Sequence, residues 1–353
     1  MNRLNVGIIG AGTISKSHLG SYVKNPNVNI CSICDTNYDT AKMRAEAYGI
    51  PNYYTDYKEI LNDKSIDAVS IVTPTFTHKN IVIEALEAGK NVLCEKPPAL
   101  NYEEALECEK AAKRTGKLLM YGFVLRFSNE VRFLKSYIDD GRMGDIYYAD
   151  VSRLTRCYKI EGWFVDKEKA GGGPLIDSVV HDLDSALYLM GYPKAVSVKG
   201  FTTQLNNHLP DTLKSAGSAW NSADINKYNR NVESMASGYI NFDNGACMYL
   251  KASWVLNIID DCSKTVELAG TKAGVKYTYD SFDMVEVDDT GYYMKSSPVF
   301  PKNTNVFDEE INHFADCCIN GTSCISTPEQ GTEIMKIITA IYESSRTGKE
   351  IIF

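Results

Sequence analysis

The sequence has no long apolar run. Nothing approaches the roughly 20 residues that span a bilayer, so no membrane crossing is expected. It also lacks any dense stretch of lysine and arginine, and its formal net charge is −8. Nucleic acid and anionic membrane surfaces both require a dense positive footprint, so neither is an expected partner. The opening residues, from Met1 to Gly7, contain no apolar stretch with a small-residue cleavage site. No secretory leader is therefore expected, and the cytoplasm is the expected compartment. Internal repeats and low-complexity segments are absent too.

Cysteine is plentiful, with ten residues, but a metal-binding pattern is missing. Cys31 and Cys34 form a C-x-x-C inside the strand-like run Asn29-Ile30-Cys31-Ser32-Ile33-Cys34. Residues three apart on a strand point to opposite faces and make a poor clamp. Cys317, Cys318 and Cys324 have no second C-x-x-C and no His pair nearby in sequence. Free, mostly buried thiols and no metal site are the expectation. Asn320-Gly321-Thr322 is formally a glycosylation sequon, but it has no role without a secretory route.

What is present is an ordinary globular composition, 44% hydrophobic and 23% charged, in 353 residues, enough for two cores. Up to Phe123 short β-branched runs alternate with helical stretches. Leu4 to Ile9, Asn29 to Cys34, Ala68 to Val72, Asn91 to Cys94 and Leu118 to Tyr121 read as strands. Lys79 to Ala88 and Tyr102 to Thr115 read as helices, stopped by Gly89 and Gly116. Such alternation predicts a parallel sheet covered by helices on both faces, the α/β dinucleotide-binding architecture, over residues 1–123.

Residues 124–353 read as a second, α+β domain with a largely antiparallel sheet. One helix is predicted from about Leu175 to Met190, and strands over Lys194–Thr202, Ser234–Phe242, Ala246–Trp254 and Thr265–Ala269. Asn244-Gly245 between two of them predicts a hairpin. The tail from Val306 to Arg346 returns to helix. Gln204 to Asn231 is long and polar, with Trp220 in its middle, and reads as a substrate lid or a subunit contact.

Gly10-Ala11-Gly12-Thr13-Ile14-Ser15 follows the first strand and precedes a helix. Gly10 permits a sharp turn, and Gly12 lets the backbone approach a pyrophosphate that meets the positive end of the helix. Ser15 stands where a third glycine is usual. Asp35 ends the second strand at the distance expected for an acid that bonds a ribose 2′-hydroxyl. No Arg or Lys adjoins it to receive a 2′-phosphate, so NAD is expected in preference to NADP. Gly10, Gly12, Thr13, Ile14 and Asp35 are thus the first cofactor contacts. Thr73, Pro74 and His78, in the run Thr73-Pro74-Thr75-Phe76-Thr77-His78, form a second edge at a strand's carboxyl end. His78 is equally readable as a helix residue facing water.

Oxidising an alcohol with NAD demands a base of near-neutral pKa close to the reacting carbon. Glu95-Lys96-Pro97-Pro98 ends the fifth strand on the ligand side, where Lys96 is placed to polarise an oxygen or relay its proton. Gly171-Gly172-Gly173-Pro174 opens the helix that carries Asp177 and His181, four residues apart. His181 is the candidate base, and Asp177 its orienting partner or a substrate contact.

Together, the glycine fingerprint, the Glu95-Lys96-Pro97 strand end and the Gly-Gly-x-x-x-Asp-x-x-x-His pattern resemble the Gfo/Idh/MocA family. That family is named for glucose-fructose oxidoreductase and inositol dehydrogenase. The resemblance spans essentially the whole chain, including Arg126, Val232-Glu233, Pro328 to Gly331 and Ser344 to Lys349. It implies a Rossmann domain and then an open-faced sheet domain, with substrate between them. It implies Lys96, Asp177 and His181 as catalytic set and Glu95 and Lys96 beside the cofactor. An NAD(P)-dependent dehydrogenase acting on CH–OH groups of a sugar, cyclitol or glycoside is expected. Trp163 reads as a sugar-stacking or a core residue, and Arg126 as a substrate contact or an anchor at the domain joint. The exposed sheet implies a homo-oligomer, dimer or tetramer. Two alternatives stand beside this reading: an NAD-using glycoside-cleaving enzyme, and a non-catalytic nucleotide-sensing regulator.

Overall fold

The computed structural model describes residues 3–158, 160–204, 230–288, 290–302 and 304–353. The polar stretch around Trp220 therefore lies outside the described residues, with the lid or contact role assigned to it. The chain divides into two compact units, residues 1–127 with 304–332, and residues 128–303 with 333–353. Among the described residues no helix is long and apolar enough to cross a membrane.

In the first unit the order is β1 (Leu4–Ile9), α1 (Ser15–Tyr22), β2 (Val28–Cys34), α2 (Tyr38–Tyr48), β3 (Asn52–Tyr54) and α3 (Tyr57–Asn62). There follow β4 (Ala68–Ile71), α4 (His78–Glu87), β5 (Asn91–Glu95), α5 (Tyr102–Thr115) and β6 (Leu119–Gly122). The strands pair in parallel in the order β3-β2-β1-β4-β5-β6. β1 and β4, adjacent in space but not in sequence, mark the point where strand order reverses, and ligands bind outside the carboxyl ends there. β4 is buried along its whole length, as a strand covered on both faces must be.

The second unit begins with α6 (Asn129–Asp139), β7 (Ile146–Thr155), α7 (Lys167–Ala170), α8 (Pro174–Asp177) and α9 (Val180–Leu189). Then come β8 (Ala195–Thr203), β9 (Met235–Phe242), β10 (Cys247–Ser253), β11 (Cys262–Gly270), β12 (Ala273–Tyr277), β13 (Phe282–Val287) and β14 (Tyr293–Ser296). The chain closes with α10 (Val306–Asn320), α11 (Pro328–Thr347) and β15 (Ile351–Ile352). Its sheet runs β14-β13-β12-β11-β7-β10-β9-β8-β15, and only β7 and β10 pair in parallel among the described strands. The expected hairpin joins β9 and β10. It is a three-residue loop in which Phe242 pairs with Ala246 and Gly245, at φ 83°, takes the left-handed position.

Two boundaries differ from the sequence reading. The division at residue 123 assigned the whole tail to the second domain, yet residues 304–332 belong to the first unit. α10 repeats Ile311, Phe314 and Ala315 at helical spacing, and these join the buried cluster of Leu4, Val6, Ile8 and Leu19. Second, the single helix expected over Leu175–Met190 is two pieces, α8 and α9, parted at Ser178 and Val179. Val179 N–H reaches back to Pro174 and Leu183 N–H to Val179, a wide turn that kinks the path.

Candidate active site

The cofactor edge is built from the end of β1. Gly10 sits at φ 104°, and a Cβ there would stand 2.6 Å from the Val72 carbonyl oxygen. Only glycine fits, for conformation and for space. Gly12 differs: a Cβ there would meet nothing within 4 Å, so its face is open. The amide end of α1 has no side-chain cap and no acidic residue in its first turn. Open backbone beside an uncapped helix N-terminus fits a pyrophosphate. Ser15 is accommodated because its hydroxyl turns back to donate to the Gly12 carbonyl at 2.6 Å.

Asp35 ends the second strand in the expected place. Its carboxylate accepts Ala11 N–H and Asn37 N–H, both at 2.9 Å, which fixes it against the glycine turn. Arg44 was not foreseen. It is buried on α2, its guanidinium donating to the Ala11 carbonyl at 3.2 and 3.3 Å and to that of Gly12 at 3.4 Å. No motif marks it, because its partners are backbone carbonyls of a turn more than 30 residues earlier.

At the end of β4, Thr73 and Thr77 share a hydroxyl–hydroxyl bond of 2.7 Å. His78 does not face water. It is 1% exposed, with Nδ1 2.9 Å from the Pro97 carbonyl and Nε2 2.9 Å from the Thr73 carbonyl. Burial pushes its pKa down. His78 thus ties together the Thr73–Pro74 and Lys96–Pro97 loops. Glu95 is buried, and Oε1 lies 2.9 Å from Nε2 of the fully buried His18. Burial alone raises such a carboxyl, but the His18 bond and charge, then Lys96, bring it below its ordinary value. Glu95 Oε2 also accepts the backbone N–H of Lys96, so a fixed anion sits at the root of the half-buried lysine. The Lys96–Pro97 peptide is cis. Arg126 is 1% exposed, donating to the Ile325 carbonyl and, at 2.7 Å, to Gln330 Oε1. These contacts favour its reading as an anchor over one as a substrate contact.

Asp177 and His181 lie in the second unit. A Cβ at Gly172 would overlap the Tyr342 hydroxyl, and one at Gly173 the Glu233 carbonyl. Glu233, buried, accepts Gly173 N–H at 2.8 Å, Leu175 N–H at 3.2 Å and the Tyr342 hydroxyl at 2.9 Å. A carboxylate thus caps the first turn of α8, and burial holds its pKa above the ordinary value despite these bonds. Asp177 ends α8 and His181 stands in the first turn of α9, both half-buried, so the kink falls between them. Ser178, inside the kink, donates to Asp177 Oδ2 at 3.3 Å and accepts Trp254 Nε1–H at 2.7 Å. Neither Ser178 nor Trp254 was singled out in the sequence. Trp163 is half-buried and stacked on Phe164 with centroids 3.9 Å apart.

Beyond these residues, Asp182 is fully buried between Arg153 Nε at 2.6 Å and Lys264 Nζ at 3.4 Å, an internal ion cluster. All ten cysteines are free thiols. His313, Cys317 and Cys324 nevertheless place one ligand atom each within 4.8 Å of one another, a grouping the sequence reading dismissed. The i,i+4 spacing of His313 and Cys317 on α10 was its visible part.

Set against known proteins, residues 4–123 match the oxidoreductase family with an NAD-binding Rossmann fold, and residues 135–352 match that family's C-terminal alpha/beta domain. The chain belongs to the Gfo/Idh/MocA oxidoreductase family. It is therefore an NAD-binding oxidoreductase, in accord with the glycine turn and the capped Asp35. This Gfo/Idh/MocA protein is 33% identical, over 99% of its length and 97% of the relative's, to the D-glucoside 3-dehydrogenase of Escherichia coli K12. It is 30% identical, over 99% and 96%, to the scyllo-inositol 2-dehydrogenase (NAD(+)) of Bacillus subtilis 168. Its fold matches that of a levoglucosan dehydrogenase solved with NADH, at a TM-score of 0.86, 24% identity and 99% coverage of both chains.

Proposed function

We propose that this Gfo/Idh/MocA protein oxidises a secondary hydroxyl of a glycoside, sugar or cyclitol, or reduces the matching ketone, with NAD preferred over NADP. Lys96, Asp177 and His181 are the residues assigned to the reacting hydroxyl. When bound, NAD supplies the hydride-accepting ring. The chain's own residues do the rest. His181 accepts the hydroxyl proton. Its Nδ1 is buried, so Nε2 is the nitrogen assigned to substrate. Asp177, steadied by the Trp254–Ser178 hydrogen-bond chain, holds a substrate hydroxyl in register. Lys96, anchored beside the Glu95 anion, polarises the oxygen that loses its proton. Trp163 offers a half-exposed ring face for a sugar.

The observation that carries this reading is the Glu233 clamp. A buried carboxylate that bonds the glycine run at two amides fixes the start of α8, and a fixed start places Asp177, at the end of that short helix, accurately. The similarity over nearly the full length to a D-glucoside 3-dehydrogenase favours a glycoside among the substrates. NAD is favoured because Asp35 offers a fixed carboxylate where NADP carries a phosphate, and the guanidinium of Arg44 is committed to turn carbonyls. An NADH-absorbance screen across alkyl and aryl glucosides, aldoses and inositols, run with NAD and with NADP, tests it. Turnover with NAD on at least one of these polyols is expected. Preference for NADP removes the Asp35 argument. Cleavage of a glycoside without net NADH identifies the glycosidase alternative.

A further inference from the structure

Three side chains that the proposed reaction does not use converge in the first unit. α10 carries His313 and Cys317 one turn apart, and at its end Gly321, at φ 69°, caps the helix. The following segment brings Cys324 back beside them. The three ligand atoms lie within 4.8 Å of one another, and Cys317 Sγ is 3.4 Å from His313 Nε2. We propose that His313, Cys317 and Cys324 form a binding site for a thiophilic d10 cation, zinc(II) or copper(I).

Geometry supports this first. Zinc bound to sulfur at about 2.3 Å and nitrogen at about 2.0 Å in a tetrahedron separates its ligands by roughly 3.5–3.8 Å. The Cys317–His313 pair, at 3.4 Å, already stands at about that spacing, and Cys324 lies within 4.8 Å of both. Chemistry supports it second. Ile325 N–H donates to His313 Nε2 at 3.2 Å, so that nitrogen carries a lone pair and no proton, and a cation takes the lone pair in exchange for that one hydrogen bond. Ser326 N–H points at Cys324 Sγ from 3.4 Å, a donor that favours the thiolate. The His313 ring is held in place against Phe127, with centroids 5.6 Å apart. Two thiolates and a neutral imidazole neutralise a divalent ion and leave one position for water, which partial exposure of His313 and Cys324 permits. Cys318 takes no part: its side chain packs against the apolar core of the first unit.

Asn312 on α10 accepts from Asn25, beyond the end of α1, and Ser326, two residues after Cys324, donates to the Tyr121 carbonyl of β6. None of these residues belongs to the glycine turn. A cation there would staple the returning segment onto the nucleotide-binding unit and leave the cofactor edge untouched. The role assigned is structural.

The test uses the full chain, purified under reducing conditions, loaded with zinc(II) or copper(I) and dialysed. One retained equivalent is expected, and cobalt(II) in its place should give thiolate-to-cobalt charge transfer with the intense visible bands of four-coordinate cobalt. Cys324→Ser, at a partly exposed position, should weaken zinc binding by at least about 100-fold, beyond what loss of an outer-shell partner costs. Cys318→Ser should leave it unchanged. Competition with zinc- and copper(I)-selective chelators decides between the two cations, and either result supports the site. Absence of a retained equivalent with all ten thiols free overturns it. So does a Cys317–Cys324 disulfide in peptide mass spectra that forms in air whether or not metal is supplied.

Discussion

Two glycines in one turn meet different demands. Gly10 is constrained by the protein itself, through φ 104° and the Val72 carbonyl, whereas Gly12 faces open space. Gly10→Ala should therefore lower Tm, since alanine forced to positive φ costs more than about 1 kcal/mol before the clash is added. Gly12→Ala should leave Tm unchanged and weaken NAD binding by about tenfold or more, roughly 1.4 kcal/mol, because its methyl intrudes only on the ligand. Thermal melts and NAD titrations of both variants separate the two. Equal loss of Tm would remove the distinction. His181 belongs to the same scale. His181→Ala should leave NAD affinity nearly unchanged while kcat falls at least ~100-fold, the usual scale for a lost general base. Near-normal turnover would take His181 out of the mechanism.

At the level of elements, the glycine run and α8 depend on a carboxylate some 60 residues later. Folding raises the pKa of Glu233 above 4.5, its ordinary value, because burial disfavours the anion. Between 4.5 and the raised value the folded state keeps a proton that the unfolded state has released. Glu233 therefore takes away stability as pH climbs through that window, whereas glutamine, always neutral, does not. The Tm of Glu233→Gln minus that of the parent should rise from pH 4.5 towards pH 7. A gap independent of pH would show that Glu233 is not buried as a carboxylate. The same region shows what a sequence reveals. Asp177 and His181 are legible from spacing and from a family pattern, as are Gly10, Asp35 and Lys96. The kink between Asp177 and His181 is not, because Trp254, which bonds Ser178 inside it, is 76 residues away. Parallel βα alternation is local and is read strand by strand. The clamps that aim side chains, Glu233 and Arg44, are non-local hydrogen bonds with no periodicity of their own.

For the whole molecule, α10 illustrates a similar limit. Spacing of Ile311, Phe314 and Ala315 announces a buried face, but only folding assigns it to the core of the first sheet. The sheet of the second unit poses the opposite problem, an outer face on which aromatic rings stand among charged pairs such as Lys251–Asp150. Tyr148, Tyr249 and Tyr239 form a row on it, with ring centroids 6.2 and 5.0 Å apart, and Tyr249 is 46% exposed. Phe201, 55% exposed, lies two strands away on β8. An aromatic row of this kind on a sheet of nine described strands is where the expected homo-oligomer is tested. A dimer or tetramer is expected in sedimentation equilibrium at micromolar concentration. Tyr249→Glu buries an unpaired charge at such a contact, and should raise the dissociation constant by at least about tenfold, ~1.4 kcal/mol. Because Tyr249 is none of the residues assigned to NAD or substrate, per-subunit NAD affinity should stay the same. A parent chain that sediments as a monomer throughout would leave the tyrosine row without this function.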